Sequence, residues 1–157
     1  MASKRVGVIG GGQLAWMMAA EARDLGIELI VQTPNRDDPA VCRAYDVVLA
    51  DIDNLEGTKA LASLCDIVTF ENEFVDLKAL HQLEEWESVL FCPSLSTLAP
   101  LLDKYDQRNY LQSINVSVPK FSLYSTAKQI ESEYGFPIVL KARRHGYDGQ
   151  GTFIIKS

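Results

Sequence analysis

Residues 5–9 form a short apolar run, Arg-Val-Gly-Val-Ile, that ends directly in three consecutive glycines, Gly10-Gly11-Gly12; from Gln13 to Leu25 the chain is rich in apolar residues and good helix formers. This order predicts a buried strand, a turn stripped of side chains and a helix stopped by Gly26. Once that unit is in place, the rest of the first hundred residues has to repeat it. Ile27 to Val31 reads as a second buried strand, closed by the turn-rich stretch Thr33 to Pro39, and Asp46 to Ala50 reads as a third. Asp53 with Glu56 three residues on predicts a helix cap for a helix through Leu64, and Asp66 to Phe70 a fourth strand. Leu77, Leu80 and Leu83 recur at intervals of three in a helical segment to Trp86, and Val89 to Phe91, before Pro93, predicts a fifth short strand. Strands alternating with helices in this way belong to the α/β class, as a doubly wound parallel sheet.

The pattern changes near residue 100. Ser94 to Ser113 reads as a linking helical segment broken at Pro100, which divides the chain into residues 1–100 and 101–157. Phe121 to Tyr124 is strand-like, Thr126-x-x-Gln129 is a capping box for a helix to Tyr134 ended by Gly135, and Ile138 to Ala142 is a further strand. Thr152 to Lys156 reads as the last strand, with no partner element after it. Burial of Phe153, Ile154 and Ile155 is worth about 1.5–3 kcal/mol each, so the fold is expected to continue beyond Ser157.

Composition narrows the function classes. A chain of 157 residues supports one sizeable core, burying about 70% of its unfolded surface. No apolar run approaches the ~20 residues of a membrane span and the first residues lack a signal-peptide core, which predicts no membrane association and a cytoplasmic location. Cys42, Cys65 and Cys92 are odd in number and form no C-x-x-C pair, so they are expected to be buried, reduced thiols rather than disulfide or zinc ligands. A net charge of −6 without a basic stripe argues against nucleic acid as a partner.

Three features carry chemistry. Gly10-Gly11-Gly12-Gln13-Leu14-Ala15 satisfies the relaxed G-x-G-x-x-A pattern of nucleotide-binding turns, but a dinucleotide site also wants an acid at the end of the second strand, where this chain has Gln32-Thr33. That disfavours a dinucleotide relative to a merely tight turn, and a turn touching some other ligand is the preferred reading. Glu71-Asn72-Glu73 places two carboxylates just past the fourth strand, at the sheet edge where open parallel sheets bind ligands and where the glycine turn also lies. Lys141 ends an apolar strand and precedes Gly146-Tyr147-Asp148-Gly149-Gln150-Gly151, a glycine hairpin whose N–H groups can meet phosphate oxygens while the lysine neutralises their charge. It is not a Walker A loop, having no G-x-x-x-x-G-K-[ST] and no following helix. His81 and His145 are read as ordinary residues.

Taken together and in this order, GGGQL, DIVTFENE, IVLKA and GYDGQG resemble the 5-(carboxyamino)imidazole ribonucleotide synthases, across essentially the whole chain. The resemblance implies a Rossmann-like preATP-grasp domain to about residue 100 and then the beginning of an ATP-grasp domain. It implies carboxylation of 5-aminoimidazole ribonucleotide with ATP, Mg²⁺ and bicarbonate, by a full-length homodimer of which this chain would be an inactive portion, the metal ligands lying in a part that follows. Carried over by position, Lys104, Lys141 and the loop Gly146, Tyr147, Asp148, Gly149, Gln150, Gly151 and Thr152 would bind ATP. Tyr147 and Asp148 would also face the reacting groups, and Gln13, Leu14, Glu71 and Glu73 the aminoimidazole ribonucleotide. This chain has Asp103-Lys104-x-x-x-Arg108 where the family commonly has D-R-x-x-x-K, and Gln150 where the loop often has Arg. Competing expectations are a related ATP-grasp ligase such as formate-dependent glycinamide ribonucleotide transformylase, and a non-catalytic nucleotide-binding module.

Overall fold

The computed structural model describes residues 4–87, 89–124, 126–146 and 149–156, in two compact units, Met1–Leu98 and Ala99–Ser157. In the first unit β1 (Lys4–Ile9), α1 (Gln13–Asp24), β2 (Ile27–Thr33), β3 (Asp46–Leu49), α2 (Leu55–Leu64), β4 (Ile67–Phe70), α3 (Leu77–Glu87) and α4 (Leu95–Leu98) follow in order, with a 3₁₀ turn at Pro39–Cys42 between β2 and β3. The sheet is parallel and ordered β3-β2-β1-β4. The chain therefore winds outward from β1 in both directions, and the β1/β4 boundary is the switch point at which such sheets bind ligands.

Alternate residues of the central strands face opposite layers, as a period of two requires. Val8, Leu29 and Val31 pack with Ala15, Ala19 and Ala22 of α1, whose small buried face lets the helix lie close to the sheet. On the other face a Cβ at Gly7 would lie 2.9 Å from Leu61 of α2, so the glycine sets the approach of that helix. Ile9, Ile30 and Leu61 are also fully or nearly fully buried.

The second unit holds a 3₁₀ turn (Ala99–Leu101), α5 (Lys104–Ser113), α6 (Ala127–Tyr134), β5 (Ile138–Lys141) and β6 (Thr152–Ile155). β5 and β6 pair antiparallel, with Lys141 opposite Thr152. Val139, Leu140, Phe153 and Ile154 stay 44–69% exposed, so the burial expected for the last strand is absent from this unit.

Four local expectations are corrected. The cap of α2 is Asn54, not Asp53: its side chain accepts the Gly57 N–H at 2.8 Å, which puts Glu56 too early in the helix to close a capping box. Val89 to Phe91 makes a single parallel bridge, Phe91 to Val68, rather than a strand; Pro93 has no N–H with which to extend the ladder. Phe121 to Tyr124 is irregular, and aromatic contacts hold it in place of strand pairing: Tyr105 against Phe121 with centroids 5.6 Å apart, Tyr124 against Tyr134 at 5.5 Å. The cysteines are free, but Cys42 and Cys92 are exposed and only Cys65 is partly buried. Burial pushes the Cys65 thiol up to about 11, with the nearby Asp66 carboxylate adding to the effect.

Candidate functional site

Helix α1 starts without a side chain of its own to cap it. Its cap residue is Gly12, and its first turn contains no acid, so the N–H groups there need an acceptor from elsewhere. Glu71, just past the end of β4, supplies it: Gly12 N–H donates to Oε2 at 2.9 Å and Ala15 N–H to Oε1 at 3.4 Å. The carboxylate meets the positive end of the helix, where an anion is stabilised. A Cβ at Gly12 would lie 2.5 Å from Glu71 Oε1, and one at Gly11 2.5 Å from Thr33 Oγ1. The turn lacks side chains because it is pressed between Glu71 and Thr33. Its outer anchors are Gly10 N–H to Gln32 C=O at 2.9 Å and Ala40 N–H to Gly11 C=O at 2.9 Å.

Dinucleotide binding meets two obstacles here. The position of the pyrophosphate is filled by a carboxylate of the same sign, and Gln32, where a ribose-binding acid would sit, is fully buried with its amide committed. Gln32 Nε2 donates to the Asp51 carbonyl at 2.7 Å and its Oε1 accepts from Thr58 Oγ1 at 3.0 Å. Thr33, beside it, donates from its hydroxyl to Asp38.

The structure thus joins the glycine turn to Glu71 directly, and sets Gln13 and Leu14 exposed at the first turn of α1. Glu73 is half-buried, and among the described residues its carboxylate has no partner, whereas neighbouring Asn72 accepts from Phe74 N–H at 2.9 Å. The two acids are therefore inequivalent: one is tied to the helix, the other is open.

In the second unit Lys141 is exposed at the end of β5 and has no side-chain partner among the described residues. Beyond it the hairpin is tied by Ala142 N–H to Gly151 C=O at 2.7 Å and Thr152 N–H to Gly149 C=O at 3.2 Å. Gly151 has φ +68°, and a Cβ there would lie 2.8 Å from that of Ala142, so no other residue fits this corner without strain. Gly149 and Gln150 are exposed and Gly146 and Thr152 half-buried. Tyr147 and Asp148 lie outside the described residues.

Lys104, at the first turn of α5, donates from Nζ to Gly146 C=O at 2.8 Å and from its backbone to Arg143 C=O at 2.9 Å. Asp103 caps α5 by accepting from Tyr105 N–H at 2.8 Å and Asp106 N–H at 3.3 Å. It also takes both arms of the Arg143 guanidinium, Nε at 3.0 Å and Nη2 at 2.8 Å. Burial pushes the Asp103 carboxyl up, but the Arg143 fork and the two N–H groups outweigh it and hold the group below the usual carboxylate range. The Asp103–Arg143 pair was not foreseen from sequence. The one signal for it is an Asp placed as an N-cap directly before Lys104, and that signal does not name the arginine.

Among the described residues no three His, Cys, Asp or Glu side chains gather where they could hold a metal ion. No helix of the described residues is long and apolar enough to cross a membrane.

Residues 3–99 match the model of the ribonucleotide synthetase preATP-grasp domain. The chain belongs to that family. Residues 109–157 match the ATP-grasp domain. The preATP-grasp chain is 58% identical over 153 residues, 97% of its length, to the N5-carboxyaminoimidazole ribonucleotide synthase of Synechocystis sp., of which it covers 38%. The crystal structure of the N5-carboxyaminoimidazole ribonucleotide synthetase of Thermotoga maritima superposes with TM-score 0.87 at 34% identity over 98% of this chain and 41% of that one. The Aspergillus clavatus synthase solved in complex with ADP and 5-aminoimidazole ribonucleotide gives TM-score 0.84 at 27% identity, covering 99% of this chain and 41% of that one. The chain therefore spans about two fifths of the length of the relatives it matches.

Proposed function

We propose that this chain is the first part of an ATP-grasp carboxylating ligase, which converts 5-aminoimidazole ribonucleotide, ATP and bicarbonate into N5-carboxyaminoimidazole ribonucleotide, ADP and phosphate in purine biosynthesis. The observation that carries the reading is the 58% identity to a synthase of that name across 97% of this chain. The geometry supports it: a glycine hairpin follows Lys141, which has no side-chain partner among the described residues, in one unit, and the Glu71 carboxylate meets the glycine turn in the other.

In this reading Lys141 and Lys104 neutralise ATP phosphates, and the backbone of Gly146, Gly149, Gln150 and Gly151 donates N–H groups to them, with Thr152, whose own N–H is held by Gly149 C=O, closing the loop beside them. Positioning and charge neutralisation are what phosphoryl transfer chiefly requires. Bicarbonate oxygen attacks the γ-phosphorus, ADP leaves, and the carboxyphosphate so formed delivers its carboxyl group to the exocyclic amine as phosphate departs. Tyr147 and Asp148 are assigned to the reacting groups. Gln13, Leu14, Glu71 and Glu73 are assigned to the ribonucleotide; Glu71 shapes the turn through its bonds to α1, and Glu73, without a partner among the described residues, accepts from the substrate amine. Mg²⁺, held by acids beyond the described residues, would supply charge stabilisation on the phosphates. The whole protein is assigned to the cytoplasm and to a homodimer.

The test is ADP release by the full-length protein. It should require 5-aminoimidazole ribonucleotide and bicarbonate together, and the 157 residues alone should show none. Turnover that needs formate and glycinamide ribonucleotide instead would move the protein to the transformylase. Nucleotide binding without any turnover would make it a binding module.

A further inference from the structure

The dipeptide Asp103-Lys104 grips the segment that follows Lys141 at three points. The Asp103 carboxylate holds the Arg143 guanidinium with both arms. Lys104 N–H holds the carbonyl of the same arginine at 2.9 Å, and Lys104 Nζ holds Gly146 C=O at 2.8 Å. Two tethers on one residue fix its rotation as well as its position, and the third fixes the chain three residues on.

Asp103 is only 3% exposed, and it receives donors from Tyr105, Asp106 and Arg143, with Arg144 Nε 3.5 Å from Oδ2. Arg143 is further placed by Tyr105, whose ring centroid lies 5.5 Å from the guanidinium carbon, and by the Asp106 carboxylate at 3.7 Å. An ammonium has three N–H donors, so Lys104 keeps two for an anion while it holds Gly146. The hairpin is pressed onto that ammonium: a Cβ at Gly146 would come within 3.1 Å of Lys104 Nζ.

We propose that Asp103 and Arg143 are a positioning pair, which holds the glycine hairpin and the Lys104 ammonium in the arrangement that receives nucleotide phosphate. The proposal rests on the ATP-binding reading given above. Neither side chain is assigned to the phosphates; both act through the backbone of residues 143–146 and through Lys104. Without the fork, binding has to order this segment, and that cost falls on nucleotide affinity.

The experiment is steady-state kinetics of the full-length protein with ATP varied at saturating ribonucleotide and bicarbonate, in two variants. Asp103→Asn keeps a good helix cap but loses the charge; Arg143→Lys keeps the charge but loses the two-armed geometry. Each should raise KM for ATP by about tenfold, the scale of one charge-assisted hydrogen bond, with kcat nearly unchanged in both and melting temperature nearly unchanged in Arg143→Lys. The double variant should be little worse than either single one, since both remove the same interaction. KM for ATP unchanged in Arg143→Lys would overturn the proposal, as would losses confined to kcat and melting temperature. Arg143 is half-exposed, so its variant carries the test even where Asp103→Asn folds poorly. A wild-type protein with no saturable dependence on ATP would instead overturn the function reading itself.

Discussion

Glu71 and Glu73 lie two residues apart, yet their removal should read out in different measurements. Glu71→Ala takes the acceptor from two N–H groups of α1 and should cost about 1–3 kcal/mol in chemical denaturation. Glu73→Gln breaks no bond among the described residues, so stability should stay within about 0.5 kcal/mol of wild type while KM for the ribonucleotide rises. Gln32→Glu offers a second residue-scale test. It would set a charge against the carbonyls of Asp51 and Asn54 in a fully buried place; the expected loss is about 3–5 kcal/mol, with no gain of dinucleotide binding in a fluorescence titration. Asp103 gives the pH dependence. Its folded-state pKa is depressed, so its contribution is present above the ordinary carboxylate value of about 4 and is lost as pH falls through the lower folded-state value. An acid titration followed by NMR of the Asp103 carboxyl should show that depressed midpoint.

At the scale of elements, caps and partners decide the boundaries. Asn54→Ala should cost about 1 kcal/mol and Asp53→Ala much less, because only Asn54 accepts from the α2 backbone; thermal melts of the two variants would show the difference. Strands β1 to β4 were legible because apolar runs bounded by turn residues leave few alternatives, and α6 because Thr126 does accept the Gln129 N–H as its spacing predicts. Asn54 was misread because two adjacent residues both cap well and local sequence does not rank them. Phe121 to Tyr124 was misread because aromatic residues favour strands equally whether a ladder or another ring receives them. The glycine turn, the acidic strand end and the hairpin were visible as candidate sites from residue type alone. What joins them was not: Glu71 to Gly12 spans 59 residues and Arg143 to Asp103 spans 40.

For the molecule as a whole, the second unit ends in a two-stranded sheet with Val139, Leu140, Phe153 and Ile154 exposed. Open apolar strands of this kind promote association. The 157-residue polypeptide should therefore self-associate in analytical ultracentrifugation, and Ile154→Lys, at the most exposed of these positions, should shift it toward monomer.

The bond from Glu71 to the start of α1 has a consequence for the order of folding. The strand that leads into this glutamate pairs with β1 only after α1, β2, β3 and α2 have been laid down along the chain. Until β4 docks, the glycine turn has no carboxylate against it and the first helix ends in unsatisfied donors. Contacts of such long sequence separation form slowly, because loop closure precedes their reward. The turn thus acquires its final shape in the same event that completes the β1–β4 pairing, and a nascent chain halted before residue 71 would carry the motif without the geometry.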